Sequence, residues 1–217
     1  MKFLVTAGPT REPIDPVRYL SNRSSGKMGY ALAEAALAAG HELVLISGPV
    51  HLPAPAGART VSVVTSDQMH EAVHQHLPGC DVLVMCAAVA DYKPAKASPH
   101  KIKKGAAGLI LELVPTRDIL SSISPHDRNF LVVGFAAETN DLEENARKKL
   151  RDKNCDMVVG NDVSQIGTGM ESDENEVTIF FRDGEIARIP RASKKNIARE
   201  LVKIITNMRE KCLTKKS

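Results

Sequence analysis

The feature that most constrains this chain is the spacing of its short apolar runs. They fall at Phe3–Thr6, Leu43–Ile46, Thr60–Val64, Val82–Met85, Leu131–Phe135 and Met157–Val159. Such runs predict strands buried on both faces, as in a parallel sheet. Helical patterns fill the gaps. Lys27–Ala39 is rich in Ala and Leu and stops at Gly40, a C-cap residue. Asp67–Leu77 follows Ser66, a good N-cap. Leu142–Lys153 follows Asp141 and carries acids early and bases late, which suits the helix dipole. The alternation predicts an α/β fold: a Rossmann-like, doubly wound, mostly parallel sheet with helices on both faces. Ligands in such a sheet bind outside the carboxyl ends of the strands.

The last third changes character. Val177–Phe181, the turn Asp183-Gly184 and Glu185–Ile189 predict a β-hairpin, followed by a closing amphipathic helix over about Lys194–Arg209. The expected organisation is one domain over residues 1–210 and a basic tail over 211–217. Val177, Ile179 and Phe181 on the hairpin read as an apolar edge that something must cover. Two long loops, Gly8–Ser25 and Val89–Gly108, are expected to be functional, because structureless loops of that length inside a compact domain usually are.

Composition narrows the function. The 217 residues hold 29 Lys plus Arg against 26 Asp plus Glu, a net charge of +3. That balance argues against a nucleic-acid-coating protein. With aromatics at 4%, base-stacking platforms are not expected either. No apolar stretch reaches the ~18 residues of a membrane helix. Cys80, Cys86, Cys155 and Cys212 show no C-x-x-C spacing, so zinc and redox motifs are unsupported. A cytoplasmic location follows, with thiols acting as small hydrophobes.

The loop after the first strand lacks the glycine fingerprint G-x-G-x-x-G, and Gly26-Lys27-Met28 fails the P-loop pattern. What remains is Ser24-Ser25-Gly26 opening a helix, behind a polar loop with Arg11, Arg18, Asn22 and Arg23. It is either an anion cradle or a plain N-cap. After the fourth apolar run, Cys86-Ala-Ala-Val-Ala-Asp91 brings small residues and a carboxylate to a strand end, where a ribose or metal ligand belongs. Lys93, Lys96, Lys101, Lys103 and Lys104 follow, as a solvated loop or as a lid that carries ammonium groups to phosphates. Phe135 is core or a base-stacking ring. Lys149 and Lys153 share a helical face, as do His70 and His74. The histidines have metal-compatible spacing but no third ligand, so an exposed helix face is the better reading.

Four segments, VTAGPTREPIDPVRYLSNRSSGKMG, AAVADYKP with KIKK, VVGFAAET and ARKKLRDKNCDMVVGND, together resemble phosphopantothenoylcysteine synthetase, the phosphopantothenate–cysteine ligase family of coenzyme A biosynthesis. The resemblance runs in order from Phe3 to about Ile205. It implies ligation of 4′-phosphopantothenate to L-cysteine. Bacterial members use CTP, passing through an acyl-cytidylate with release of pyrophosphate and then CMP. It implies Mg²⁺ (or Mn²⁺) as cofactor and no flavin in this chain.

Carried onto these positions, the resemblance makes Asn22 and Lys101 catalytic. It makes Met85, Cys86, Ala87, Asp91, Lys101, Arg117, Asp118, Ile119, Leu120, Phe135, Lys149 and Lys153 nucleotide-binding, with Asp91 also at the metal. Ser24, Ser25 and Gly26, with Asn22, are expected at the substrate. Arg117 stands where the family has a proline. A homodimer is implied, with a flavin-dependent phosphopantothenoylcysteine decarboxylase, separate or fused, as a further partner; neither nucleic acid nor membrane is expected. Two other readings are an NAD(P)- or flavin-binding module and a non-catalytic subunit of a decarboxylase. The first needs a glycine fingerprint, and an acid where the second strand ends in Ser47-Gly48-Pro49. The second reading requires that no pyrophosphate be released.

Overall fold

The computed structural model describes residues 1–105, 108–125, 128–138, 140–162 and 172–214, and among these an eight-stranded sheet is flanked by four helices. The main strands are β1 (Lys2–Ala7), β4 (Glu42–Ser47), β5 (Arg59–Ser62), β6 (Val82–Met85), β9 (Leu131–Glu138), β10 (Met157–Asp162), β11 (Glu174–Phe181) and β12 (Ile186–Ser193). The order across the sheet is β12-β11-β10-β9-β6-β1-β4-β5. The block from β10 to β5 is parallel, and β11 and β12 add an antiparallel extension. The doubly wound sheet and its terminal hairpin match the sequence reading.

Alternate residues of the central strands enter opposite cores, which is why the runs carry no polar face. Phe3, Val5, Leu43, Leu45, Val82 and Val84 pack with α1 (Lys27–Ala38) and α4 (Lys194–Thr214). Leu4, Val44, Ile46, Leu83 and Met85 pack with α2 (Ser66–His76) and α3 (Leu142–Asp152).

Several local expectations change. Thr65, not Ser66, caps α2, because Thr65 and Gln68 form a reciprocal capping box that uses two otherwise orphan N–H groups. Neither Ser24 nor Ser25 caps α1; Gly26 does, at φ 76°. Asp141 precedes α3 in a left-handed conformation and makes no side-chain cap bond. Helix α4 continues past Arg209 to Thr214, and residues 215–217 of the expected tail lie outside the described residues. The apolar hairpin residues Val177 and Ile179 are fully buried under α4 through Ile197, Ala198 and Leu201, and Phe181 packs half-buried beside them. This chain's own helix therefore covers the face that read as awaiting a cover.

The two long loops are not structureless. The first contains a small antiparallel ladder, β2 (Arg11–Pro13) with β3 (Tyr19–Ser21), and the second supplies β7 (Tyr92–Pro94), which pairs antiparallel with β8 (Leu113–Pro115) beyond the loop's end. Both lie beyond the carboxyl ends of β1 and β6, adjacent strands from which the chain departs to opposite sides of the sheet. That divergence is the topological switch point, where an α/β sheet opens its crevice.

Gly29 sets how closely α1 approaches β1 at this place. A Cβ there would lie 2.5 Å from Ala7 Cβ and 3.0 Å from Ala7 Cα. Helix propensity favours Gly→Ala by about 1 kcal/mol. Overpacking against a strand opposes it by roughly 1–3 kcal/mol. Since backbone as well as side chain is in the way, Gly29→Ala is expected to destabilise the protein, read as a lower urea midpoint. A raised midpoint would mean that α1 has room to move off the sheet.

Candidate active site

A cavity of about 730 Å³ fills the crevice. That is within the range of small-molecule sites. Its walls come from the start of α1, the chain after β6, residues 116–120 after β8, the end of β9, and α3.

Two buried threonines build the mouth. Thr6 Oγ1 accepts from the backbone N–H groups of Cys86 and Ala87, each at 3.1 Å. Thr10 Oγ1 accepts from Ala90 N–H at 3.0 Å, and Ala88 N–H donates to Gly8 C=O at 2.9 Å. The small residues after β6 are thus stitched to the loop after β1. Asn22 lies across this seam, its amide donating to the carbonyls of Ala88 (3.1 Å) and Val89 (3.3 Å).

Most expected nucleotide residues meet on the cavity wall: Met85, Cys86, Ala87 and Asp91, Arg117 to Leu120, Phe135, Lys149 and Lys153. Phe135 is half-buried there, so its ring serves core and cavity together. Ile119 and Leu120 are buried in the second core. Arg117 occupies the wall with its guanidinium 3.8 Å from Asp67, which also pairs with Lys93. Of the substrate group, Asn22, Ser24 and Gly26 line this cavity. Ser25 instead lines an adjoining one of about 470 Å³, with Arg11, Arg23 and Lys27. Asn22 and Ser24 lie on both.

The cations are already engaged. Lys153 pairs with Asp118, which also accepts from Ser121 N–H. Burial disfavours ionisation of Asp118, but these hydrogen bonds more than offset it and its pKa is lowered. Lys149 donates to Phe135 C=O at 2.6 Å, and burial lowers its ammonium pKa. Burial pushes the Cys86 thiol up to about 12, so it stands in the wall as a neutral group and not as a nucleophile. His70 and His74 are half-buried, not exposed. Their rings lie 4.5 Å apart, and His74 Nε2 is 2.7 Å from Ser122 Oγ. Among the described residues no three His, Cys, Asp or Glu side chains gather as a metal site, and no helix is long and apolar enough to cross a membrane. Magnesium needs only one or two carboxylates when phosphates supply its other oxygens. The exposed Asp91 on the wall fits that requirement.

Lys101 is not on the cavity wall. It is exposed, one residue before Ile102, whose backbone is held at both ends. Ile102 N–H donates to Asp15 Oδ2 at 3.1 Å, and Arg18 Nη2 donates to Ile102 C=O at 2.8 Å.

Residues 1–208 match the DNA/pantothenate metabolism flavoprotein C-terminal domain. The chain belongs to this family. It is 48% identical over 203 residues to the coenzyme A biosynthesis bifunctional protein CoaBC of Bacillus subtilis (strain 168), covering 93% of this chain and 50% of that protein. It is 47% identical over 189 residues to CoaBC of Escherichia coli (strain K12), covering 85% of this chain and 47% of that protein. The chain thus spans about half the length of these relatives. Among solved structures, the C-terminal domain of a CoaBC protein superposes with a TM-score of 0.83 at 45% identity, covering 97% of this chain and 96% of that one.

Within this family member, sequence reasoning missed Thr6, Thr10 and Asp15. The threonines sit inside apolar or loop segments, where a hydroxyl reads as ordinary.

The Arg18 guanidinium holds the Asp15 carboxyl well below the usual carboxylate range, with backbone N–H groups of Val17, Ile102 and Arg18 helping against burial. A carboxylate lowered in the folded state stabilises above its unfolded pKa of about 3.9, and that contribution fades as pH falls through the lower folded value. Asp15→Asn is therefore expected to be less stable than the parent at pH 7, with the gap narrowing as pH falls below about 4. Paired thermal melts at pH 7 and pH 3 check this; an unchanged gap would show that ionisation of Asp15 does not hold the loop.

Proposed function

We propose that this chain is a phosphopantothenate–cysteine ligase domain acting in the cytoplasm, one ligase domain whose last helix carries it past residue 210 to Thr214. It would join 4′-phosphopantothenate to L-cysteine in coenzyme A biosynthesis. The observation that carries the reading is the switch-point cavity, where Asn22, Asp91, Asp118, Phe135, Lys149 and Lys153 share one wall system. Membership of the family supports it.

The chemistry runs in two steps. The substrate carboxylate attacks the α-phosphate of CTP, giving an acyl-cytidylate and pyrophosphate. The cysteine amine then attacks the acyl carbon and displaces CMP, leaving the amide. Carboxylate and triphosphate are both anionic, so the first step needs cations as charge moves onto pyrophosphate. Lys149 and Lys153 would serve the phosphates, and Phe135 the base. Mg²⁺, held through Asp91 and the phosphates, would neutralise further charge. Ser24, Ser25 and Gly26 would face the acid substrate. Asn22 is neutral, and its amide suits orientation of the acyl group or donation to the oxyanion.

Lys101 would act as a lid cation, either by swinging in or by reaching the site of a second copy. We propose a homodimer in which the lid crosses between copies. Among the described strands β12 is an edge of the sheet, a strand available for pairing. Light scattering at assay concentration is expected to give twice the chain mass; a monomer would remove this part.

The decisive experiment follows pyrophosphate release and quenched intermediates by mass spectrometry. CTP is expected to turn over well above ATP. Lys101→Gln should block acyl-cytidylate formation, since loss of one such electrostatic contact costs on the order of 10²–10³ in rate. Asn22→Asp should form the intermediate and stall. Accumulation of intermediate by Lys101→Gln and none by Asn22→Asp would reverse the two roles. No pyrophosphate from the parent chain with all three substrates would sink the ligase reading.

A further inference from the structure

Beside the main cavity lies the second one, of about 470 Å³, which Asn22 and Ser24 join to the first. Its lining holds Arg11, Arg23 and Lys27 with the imidazole of His51, and among the described residues no Asp or Glu contributes to it. That is a local excess in a chain whose net charge is only +3. Lys27 is paired with Asp173 at 2.7 Å, so the two arginines carry the argument. Among the described residues neither Arg11 nor Arg23 forms an ion pair with a carboxylate.

Arg11 is held in a defined pose. Its backbone N–H donates to Val64 C=O at 2.8 Å, and it pairs with Ser21 across the β2–β3 ladder. Its guanidinium carbon lies 4.6 Å from the centroid of the Tyr19 ring. Stacking of this kind occupies the face of the guanidinium and leaves its N–H edge for the parallel bonds that a phosphate accepts. The lining also has an apolar part, made by Pro9, Pro49, Val50 and Leu52. Gly26 lets it come close, since a Cβ there would lie 2.7 Å from Val50 Cγ1. Cations beside a compact apolar surface suit an anion carried on a small branched alkyl group.

We propose that the second cavity binds the phosphate monoester end of the acid substrate, with Arg11 and Arg23 as its cations. The inference deepens the ligase reading and rests on it for the identity of the substrate. 4′-Phosphopantothenate is anionic at both ends. Its carboxylate must meet the α-phosphate of the nucleotide in the main cavity, so its own phosphate must lie elsewhere. Asn22 stands where the two cavities join, so a substrate with its acyl end there can extend the other end to the arginines. The two methyl groups on the carbon next to the phosphate-bearing one would then face Val50 and Leu52. A nucleotide polyphosphate offers like charge without that branched alkyl group, and free phosphate offers neither the alkyl group nor a second end for the main cavity.

The test compares the parent chain with the double variant Arg11→Gln/Arg23→Gln and with Arg23→Gln alone, which changes an exposed residue and keeps the Arg11 stack. Calorimetry measures binding of 4′-phosphopantothenate, pantothenate, CTP and inorganic phosphate, each alone, and thermal melts check folding. The parent is expected to bind 4′-phosphopantothenate more tightly than pantothenate. The double variant should lose about tenfold or more of the affinity for 4′-phosphopantothenate, and Arg23→Gln part of it, because charge-assisted bonds to the phosphate are removed. Affinities for pantothenate and CTP should not change. Unchanged affinity for 4′-phosphopantothenate in the double variant, or a parent that does not bind it, would overturn the proposal. So would an equal loss on pantothenate, the mark of a structural role, or a loss confined to CTP or to inorganic phosphate, which would place a different phosphate at the arginines. A parent that binds 4′-phosphopantothenate through the arginines yet releases no pyrophosphate with all three substrates would overturn the ligase reading and leave the site standing. Ligation by a parent whose variants keep full affinity would overturn the site alone.

Discussion

Everything in the site hangs on the point where β1 and β6 part. Parallel neighbours whose chains leave in opposite directions must open a crevice, and that crevice exposes backbone polar groups that the sheet no longer pairs. Here Thr6 and Thr10 answer that problem. Their hydroxyls accept three N–H groups from Cys86, Ala87 and Ala90, and both residues are fully buried. Because those amides are satisfied from beneath, the strand-end residues 86–91 can form a thin, ordered wall of small side chains. Asn22 then spans the seam from above. A buried hydrogen bond contributes only about 1 kcal/mol net, but an orphaned N–H costs more than that. The threonines therefore matter most through what their loss would leave unpaired.

The same reasoning explains which parts of the molecule were legible in the sequence. The sheet was readable because burial on both faces demands continuous apolar runs, and Leu4 and Val5 face different cores with equal burial. The strand-end candidates were readable because an α/β sheet puts ligands at its carboxyl edge, and Asp91, Phe135 and Asn22 all reach the cavity. The Asp15–Arg18–Ile102 clamp was not readable. It joins residues more than eighty positions apart through backbone groups, which leave no mark on residue type. Lys101 illustrates the limit from the other side. Its segment is idiosyncratic enough to mark a family, yet its position off the wall depends on a loop geometry that no local pattern encodes.

The edge of the sheet shows how tertiary packing overrules a local inference. Val177, Ile179 and Phe181 form an apolar series on a hairpin, which in isolation implies an uncovered face. The sequence also contains the cover: Ile197 and Leu201 lie on the apolar stripe of α4 and meet Val177 and Ile179 in one core. Both elements were visible separately. What pattern alone did not supply was that the helix folds back onto the hairpin that precedes it.

The charge arrangement carries the final step. Lys153 rests on Asp118, Lys93 and Arg117 rest on Asp67, and Lys27 rests on Asp173. Partly exposed pairs of this kind contribute only about 0–1 kcal/mol each. They orient the side chains without holding them strongly. On the proposed ligase reading, a polyphosphate presents several charges at once, so it would displace carboxylates one by one and gain from every exchange. On that reading the carboxylates act as placeholders that keep the lysines apart and ordered until a polyphosphate arrives. The half-buried Lys149 differs. Burial leaves its ammonium less water to return to, so on the proposed reading a phosphate arriving there would gain more than at the exposed pairs.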